Sequence, residues 1–170
     1  MRYIFLSILL YVAMPVYAQQ KYELHDSTYW SCADSGRLVH VYPESTVTVQ
    51  TTAKGFTFTA IHFEKLNERY GWVGGNDEKG NVVLMRTIDG GKKWDYTIVL
   101  RAGAVNDKVE RIQSIKGRIL CVLLRSGKIL RSHDWGCTYY PISTPIAGTS
   151  CEQGKQHFEE SLRYFEERLK

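Results

Sequence analysis

Proline is scarce in this chain, four residues in 170, so no proline-rich linker divides it. Charge of one sign is scarce too. A formal net charge of +4 is too small an excess to point to nucleic acid. There is no C-x-x-C and no histidine pair at metal-ligand spacing, which argues against zinc; no metal and no cofactor are expected. No serine sits in G-x-S-x-G and no glycine loop is built to cradle phosphate. Beyond the first residues no apolar run is long enough to cross a bilayer, which takes about 20 residues.

What is present is an ordinary globular composition, 44% hydrophobic and 24% charged, at a length that suits one domain. Tyr and Phe supply 17 aromatics and Trp four more, which favours strands over helices. Residues 1–18 read as a cleavable secretory signal: Arg2, the apolar run Tyr3–Met14, then Val16 and Ala18 at the −3 and −1 positions of a cut after Ala18. The mature chain would carry a charge of +3 and lie in the periplasm or outside the cell. Its four cysteines, Cys32, Cys121, Cys137 and Cys151, would then meet an oxidising compartment. Four cysteines allow three connectivities. A Cys137–Cys151 bridge is the favoured one, with Cys32 and Cys121 either paired or buried as small apolar residues.

One motif occurs twice, 45 residues apart. Thr87-Ile88-Asp89-Gly90-Gly91-Lys92-Lys93-Trp94 and Ser132-His133-Asp134-Trp135-Gly136-Cys137-Thr138-Tyr139 both fit S/T-x-D-x-G-x-x-aromatic. Apolar strands precede each copy, and Asp and Gly make a hairpin turn. The Asp would accept hydrogen bonds from the turn's own amides, and Gly91 and Gly136 would take positive φ. The aromatic would pack under the turn. All of these roles are structural; neither Asp89 nor Asp134 is expected to be catalytic. The flanks repeat as well: Leu84–Thr87 matches Ile129–Ser132, and Gly36–Val41 resembles Gly127–Ser132 in a third copy whose turn has lost the motif. Cys32 and Cys121, 89 apart, would fall near equivalent positions.

The motif resembles the Asp box of the bacterial neuraminidase repeat family, with Thr138 matching the family pattern and Lys93 and Tyr139 departing from it. The segment from Tyr70 to Trp94 is similar to blades of the photosystem II stability and assembly factors and related exported proteins. The resemblance spans about residues 55–143. It implies an all-β chain of propeller-like, four-stranded antiparallel blades.

The residues themselves give four strands per unit: Phe56–Phe63, Tyr70–Gly74, Val82–Thr87 and Trp94–Leu100, then Val109–Ile115, Arg118–Leu124, Lys128–Ser132 and Thr138–Ile142. Residues 19–148 hold about three units, fewer than the four to eight blades of closed propellers. An open array, a closed three-unit ring and part of a homo-oligomer all remain open. Residues 149–170 read as an amphipathic helix, entered by a Ser150-x-x-Gln153 capping box. Its stripe of Phe158, Leu162, Phe165 and Leu169 would pack on the sheet as a cap.

Between Arg101 and Arg131 eight basic residues face only Asp107 and Glu110. Arg111, Arg118, Arg125, Lys128 and Arg131, with Trp135 and Tyr140, are the candidate contact surface for an acidic protein partner. A sialidase-type enzyme is the alternative that the Asp box raises. Glycoside hydrolysis needs two facing carboxyl groups, and Glu64, Glu68, Asp77 and Glu110 have no identifiable mate in the sequence. The five histidines are scattered. The expectation is therefore a non-catalytic exported protein-binding module, either an assembly or stability factor or an immunity or inhibitor protein for a secreted toxin or hydrolase.

Overall fold

The computed structural model describes residues 20–33, 36–44, 47–51, 55–103, 107–116, 119–143 and 151–169, with backbone only at 33, 47–51, 143 and 151–155. The proposed signal, residues 1–18, lies outside them, as do Arg118 and Ser150. Twelve strands form three antiparallel sheets, each paired in chain order. Blade 1 is β1 (Gln20–Glu23), β2 (Tyr29–Ala33), β3 (Arg37–Val41) and β4 (Val47–Thr51). Blade 2 is β5 (Thr57–Phe63), β6 (Gly71–Asn76), β7 (Val82–Thr87) and β8 (Asp95–Leu100). Blade 3 is β9 (Val109–Ile115), β10 (Ile119–Leu124), β11 (Ile129–Ser132) and β12 (Tyr140–Ser143), and α1 (Cys151–Arg168) follows. The blade architecture and the C-terminal helix expected from the sequence are the ones observed. No described helix is long and apolar enough to cross a membrane.

Sheets buried on both faces need apolar residues at successive positions, not alternate ones. β10 shows this most plainly: all six residues of Ile119–Leu124 are buried. Leu120, Val122 and Leu124 pack with Ala60, Trp72, Val82 and Leu84 of blade 2. Ile119, Cys121 and Leu123 point the other way and meet Phe158 and Leu162 of α1. Blade 1 meets blade 2 through Trp30, Cys32 and Leu38 against Phe58, Phe63, Val73 and Met85. The core is thus three layers between four elements: blade 1, blade 2, blade 3 and the helix.

The helix holds its place by its stripe and by three cations of blade 3. Phe158 and Leu162 are buried, each worth about 1.5–3 kcal/mol of transfer free energy. Arg111 pairs with Glu159 and lies 5.5 Å over the Phe158 ring. Arg131 lies 5.1 Å over Phe165, and Lys116 Nζ donates to the Leu169 carbonyl at 3.3 Å near the helix C-terminus. The far face of blade 1 is more polar. Ser31 pairs with Val39 where the other blades place Val73 opposite Met85 and Val122 opposite Leu130. Lys21, Glu23 and Arg37 are exposed, and Lys21 Nζ sits 3.9 Å over the Tyr29 ring.

Strand register makes the near equivalence expected of Cys32 and Cys121 more exact. Trp30 pairs with His40, Trp72 with Arg86 and Cys121 with Arg131, each partner standing one residue before the turn-opening Val41, Thr87 or Ser132. Trp30, Trp72 and Cys121 are therefore the equivalent set, and Cys32 is two residues further on. Cys32 and Cys121 are buried thiols in different layers of the core, so they do not pair. Cys137 is an exposed thiol whose Sγ accepts from the Arg86 guanidinium. The bridge expected between Cys137 and Cys151 involves a side chain outside the described residues.

Candidate recognition surface

Both turn motifs fold as hydrogen-bonded knots. Thr87 Oγ1 donates to Asp89 Oδ1 at 2.8 Å and accepts from the Gly91 amide at 2.9 Å; Asp89 Oδ1 also accepts from the Lys93 amide at 3.0 Å. Ser132 Oγ repeats this with Asp134 Oδ1 at 2.8 Å and the Gly136 amide at 2.8 Å. Asp134 has more donors: the amides of Cys137 at 3.0 Å and Thr138 at 2.9 Å, and Thr138 Oγ1 at 2.6 Å. Burial works against ionisation of Asp134, but the hydrogen bonds from Thr138, Ser132 and Cys137 outweigh it and bring its carboxyl down to about 2. Asp89 is lowered by the Lys93 amide first and then by Thr87. Lys93 has no hydroxyl to give, so Lys93→Thr is expected to stabilise the fold through the missing bond, raising the urea midpoint. Urea unfolding of the variant checks it.

Each knot also grips the preceding blade. Gly91 has φ +87° and lies against the Trp30 indole; Gly136 has φ +85° and lies against the Trp72 indole. Trp72 Nε1 donates to the Trp135 carbonyl at 3.0 Å. Trp135, at φ +61°, stacks on Tyr70 with ring centroids 4.5 Å apart. A tryptophan of one blade and the turn of the next thus form a repeated latch. The carboxylates of Asp89 and Asp134 are engaged by their own turns.

The basic residues close in sequence part company in space. Arg111 and Arg131 lie against the helix, as does Lys116. Arg125 is exposed and Lys128 half-buried at the β10–β11 turn. The Arg125 amide donates to the Lys108 carbonyl at 2.8 Å, and Asp107 accepts from the Ser126 amide at 3.0 Å and from its hydroxyl. Trp135 is 37% exposed and serves the latch, whereas Tyr140 is 58% exposed and stands opposite Arg131 on the neighbouring strand. Arg131, Tyr140 and the helix thus share one surface; Arg125 and Lys128 lie at another. Among the described residues no group of three His, Cys, Asp or Glu could hold a metal ion.

Of the five scattered histidines, His62 is a hydrogen-bonded structural residue, as a lone histidine in a strand usually is. It is 8% exposed, on β5, stacked on Trp72 and edge-on to Tyr22. Its Nε2 accepts from the Ser114 amide of β9 at 3.0 Å and stands 2.7 Å from Ser114 Oγ. A backbone N–H can only donate, so Nε2 carries no proton. The ring is a neutral hydrogen-bonded link between blades 2 and 3.

Comparison with known proteins supplies the fold family. No protein-family model and no curated protein matches the chain. Solved structures of YCF48 are among those that share its fold. One is YCF48 bound to D1 peptide, with a TM-score of 0.56 over 76% of this chain and 45% of that one, at 16% identity. Another is YCF48 from Cyanidioschyzon merolae, with a TM-score of 0.57 over 76% of this chain and 42% of that one, also at 16% identity. The chain spans less than half the length of either. The likeness to photosystem II assembly-factor blades read from Tyr70–Trp94 agrees with these neighbours. They are β-propellers, as the three blades here imply.

Proposed function

We propose that this chain is a non-catalytic protein-recognition module, exported across the inner membrane, that holds a partner against a rigid stack of blades. The observation that carries this reading is the shared fold with YCF48, which has been solved with a bound D1 peptide. Two features of the chain support it. The box carboxylates are engaged by their own turns and are poorly placed to act on a substrate. The surface where α1 meets blade 3 exposes Tyr140 and Tyr164 around Arg131, and Tyr and Arg are enriched at protein interfaces. Export rests on the pattern of Arg2, Tyr3–Met14 and Val16–Ala18. An assembly or stability role fits the fold neighbours best; an immunity or inhibitor role would use the same surface.

Cross-linked capture of the full chain from its own cell envelope, read by mass spectrometry, tests the proposal. A single dominant protein partner that survives washing is expected. Release of sialic acid from a fluorogenic sialoside by the purified chain would overturn it in favour of a sialidase-type enzyme.

A further inference from the structure

The cleft between β11, β12 and the second half of α1 has a volume of about 340 Å³ and is lined by Arg131, Ile142, His157, Glu160, Tyr164 and Phe165. Arg131 is half-buried over the Phe165 ring, and its Nε is buried without a hydrogen-bond partner. Leaving a buried donor unmatched costs about 1–3 kcal/mol, and more when it is charged. Among the described residues no carboxylate pairs with Arg131. Glu160 Oε1 accepts from Gln156 Nε2 at 3.1 Å, and Oε2 lies 3.7 Å from His157 Nδ1. Cys121, the cross-strand neighbour, has its thiol pushed up to about 12 by burial, so it is neutral and no counter-ion. The contrast with two other arginines is direct. Arg111 under the same helix has Glu159, and Arg86, the register equivalent of Arg131 in blade 2, has Cys137 Sγ.

We propose that this cleft is a carboxylate subsite, with Arg131 as its cation, for an acidic residue flanked by apolar side chains on a peptide partner. The proposal rests on the recognition reading and names the chemistry that reading would use. A guanidinium binds a carboxylate through paired N–H donors. Ile142, Phe165 and the ring of Tyr164 offer the flanking apolar contact. Glu160 at the same cleft disfavours a dianion such as phosphate. Tyr140 and Tyr164, 58% and 50% exposed, extend the surface beyond the cavity, which suits a peptide with residues on both sides of the acid better than a free small acid.

Titration calorimetry of the full chain with acetyl-Leu-Asp-Leu-amide and acetyl-Leu-Asn-Leu-amide tests this. The Asp peptide is expected to bind about tenfold or more tightly than the Asn peptide, as for a charge-assisted pair. Arg131→Met should erase that difference and Arg125→Met should leave it. Should Arg131→Met not fold, the wild-type Arg131 Nε–H resonance still reports: it should shift with the Asp peptide and stay with the Asn peptide. Equal binding of the two peptides, or no saturable binding of either, overturns the proposal. Equally tight binding of 4-methylpentanoate overturns its peptide source. An envelope capture without a partner, beside a retained Asp/Asn difference, would fail the recognition reading and spare the subsite; a captured partner without that difference would do the reverse.

Discussion

Gly91→Ala is expected to lower the unfolding free energy by about 3 kcal/mol, and Gly90→Ala next to it by only about 1 kcal/mol. Both glycines have positive φ, +87° and +75°, so both variants pay the left-handed strain of a Cβ. They differ in what that Cβ meets. At Gly90 there is open space within 4 Å; at Gly91 the Trp30 ring stands 2.5 Å away. Trp30 has little room to retreat, since it is buried, stacked on His40 at 4.3 Å and wedged beside Trp94 and Phe63. The difference between the two variants isolates the latch from the turn. Urea unfolding measures it, and equal costs would mean that the contact of turn and tryptophan does not hold blades 1 and 2 together. Gly136→Ala should behave like Gly91→Ala, because its Cβ would lie 2.9 Å from Trp72 Nε1 and 2.5 Å from the Tyr139 hydroxyl.

Half of that latch was legible in the sequence. Thr87, Asp89, Gly91 and their counterparts lie within eight residues of one another, and short-range hydrogen bonding follows from spacing alone. Strands and turns were legible for the same reason, as was the helix stripe, whose Phe158 and Leu162 are buried as a 3.6-residue period requires. The tryptophan side of the latch was not. Trp72 meets a turn more than 60 residues away, and no local pattern announces it.

Offsets counted along the chain place the repeats only to within a few residues. Trp30 to Trp72 is 42 residues and Trp72 to Cys121 is 49, because the turns differ in length; together they make 91, the offset at which Gly36–Val41 resembles Gly127–Ser132, and Cys32, 89 before Cys121, stands two residues off the register equivalent. The basic run from Arg101 to Arg131 failed as a single patch for a different reason. A strand sends neighbouring side chains to opposite faces, and the acid that pairs with Arg111 comes from Glu159, on an element whose docking the sequence does not specify.

The link between blades 2 and 3 should give the fold a pH dependence that one residue removes. Burial, helped by the positive charges of Lys65 and Arg111, lowers His62 from 6.5 to about 4. The geometry requires the same direction. A proton on Nε2 would face the Ser114 amide donor at 3.0 Å, two donors with no acceptor between them. Above about pH 6.5 the ring is neutral both folded and unfolded, and its contribution is fully present. Between pH 6.5 and 4 only the unfolded chain takes up the proton, so stability falls with pH, by about 3 kcal/mol in total. His40 is also lowered, by burial against the opposing charge of Asp26, and adds a slope of the same sign. Asp134 loses its contribution only as pH falls from its unfolded value toward about 2, below this window. His62→Gln separates these effects: its amide oxygen can still accept from Ser114, and it does not titrate. Urea unfolding from pH 7.5 down to 4.5 should show a slope in the wild type that is mostly gone in His62→Gln. A wild-type slope that survives the substitution intact would place the acid sensitivity outside the blade 2–blade 3 seam.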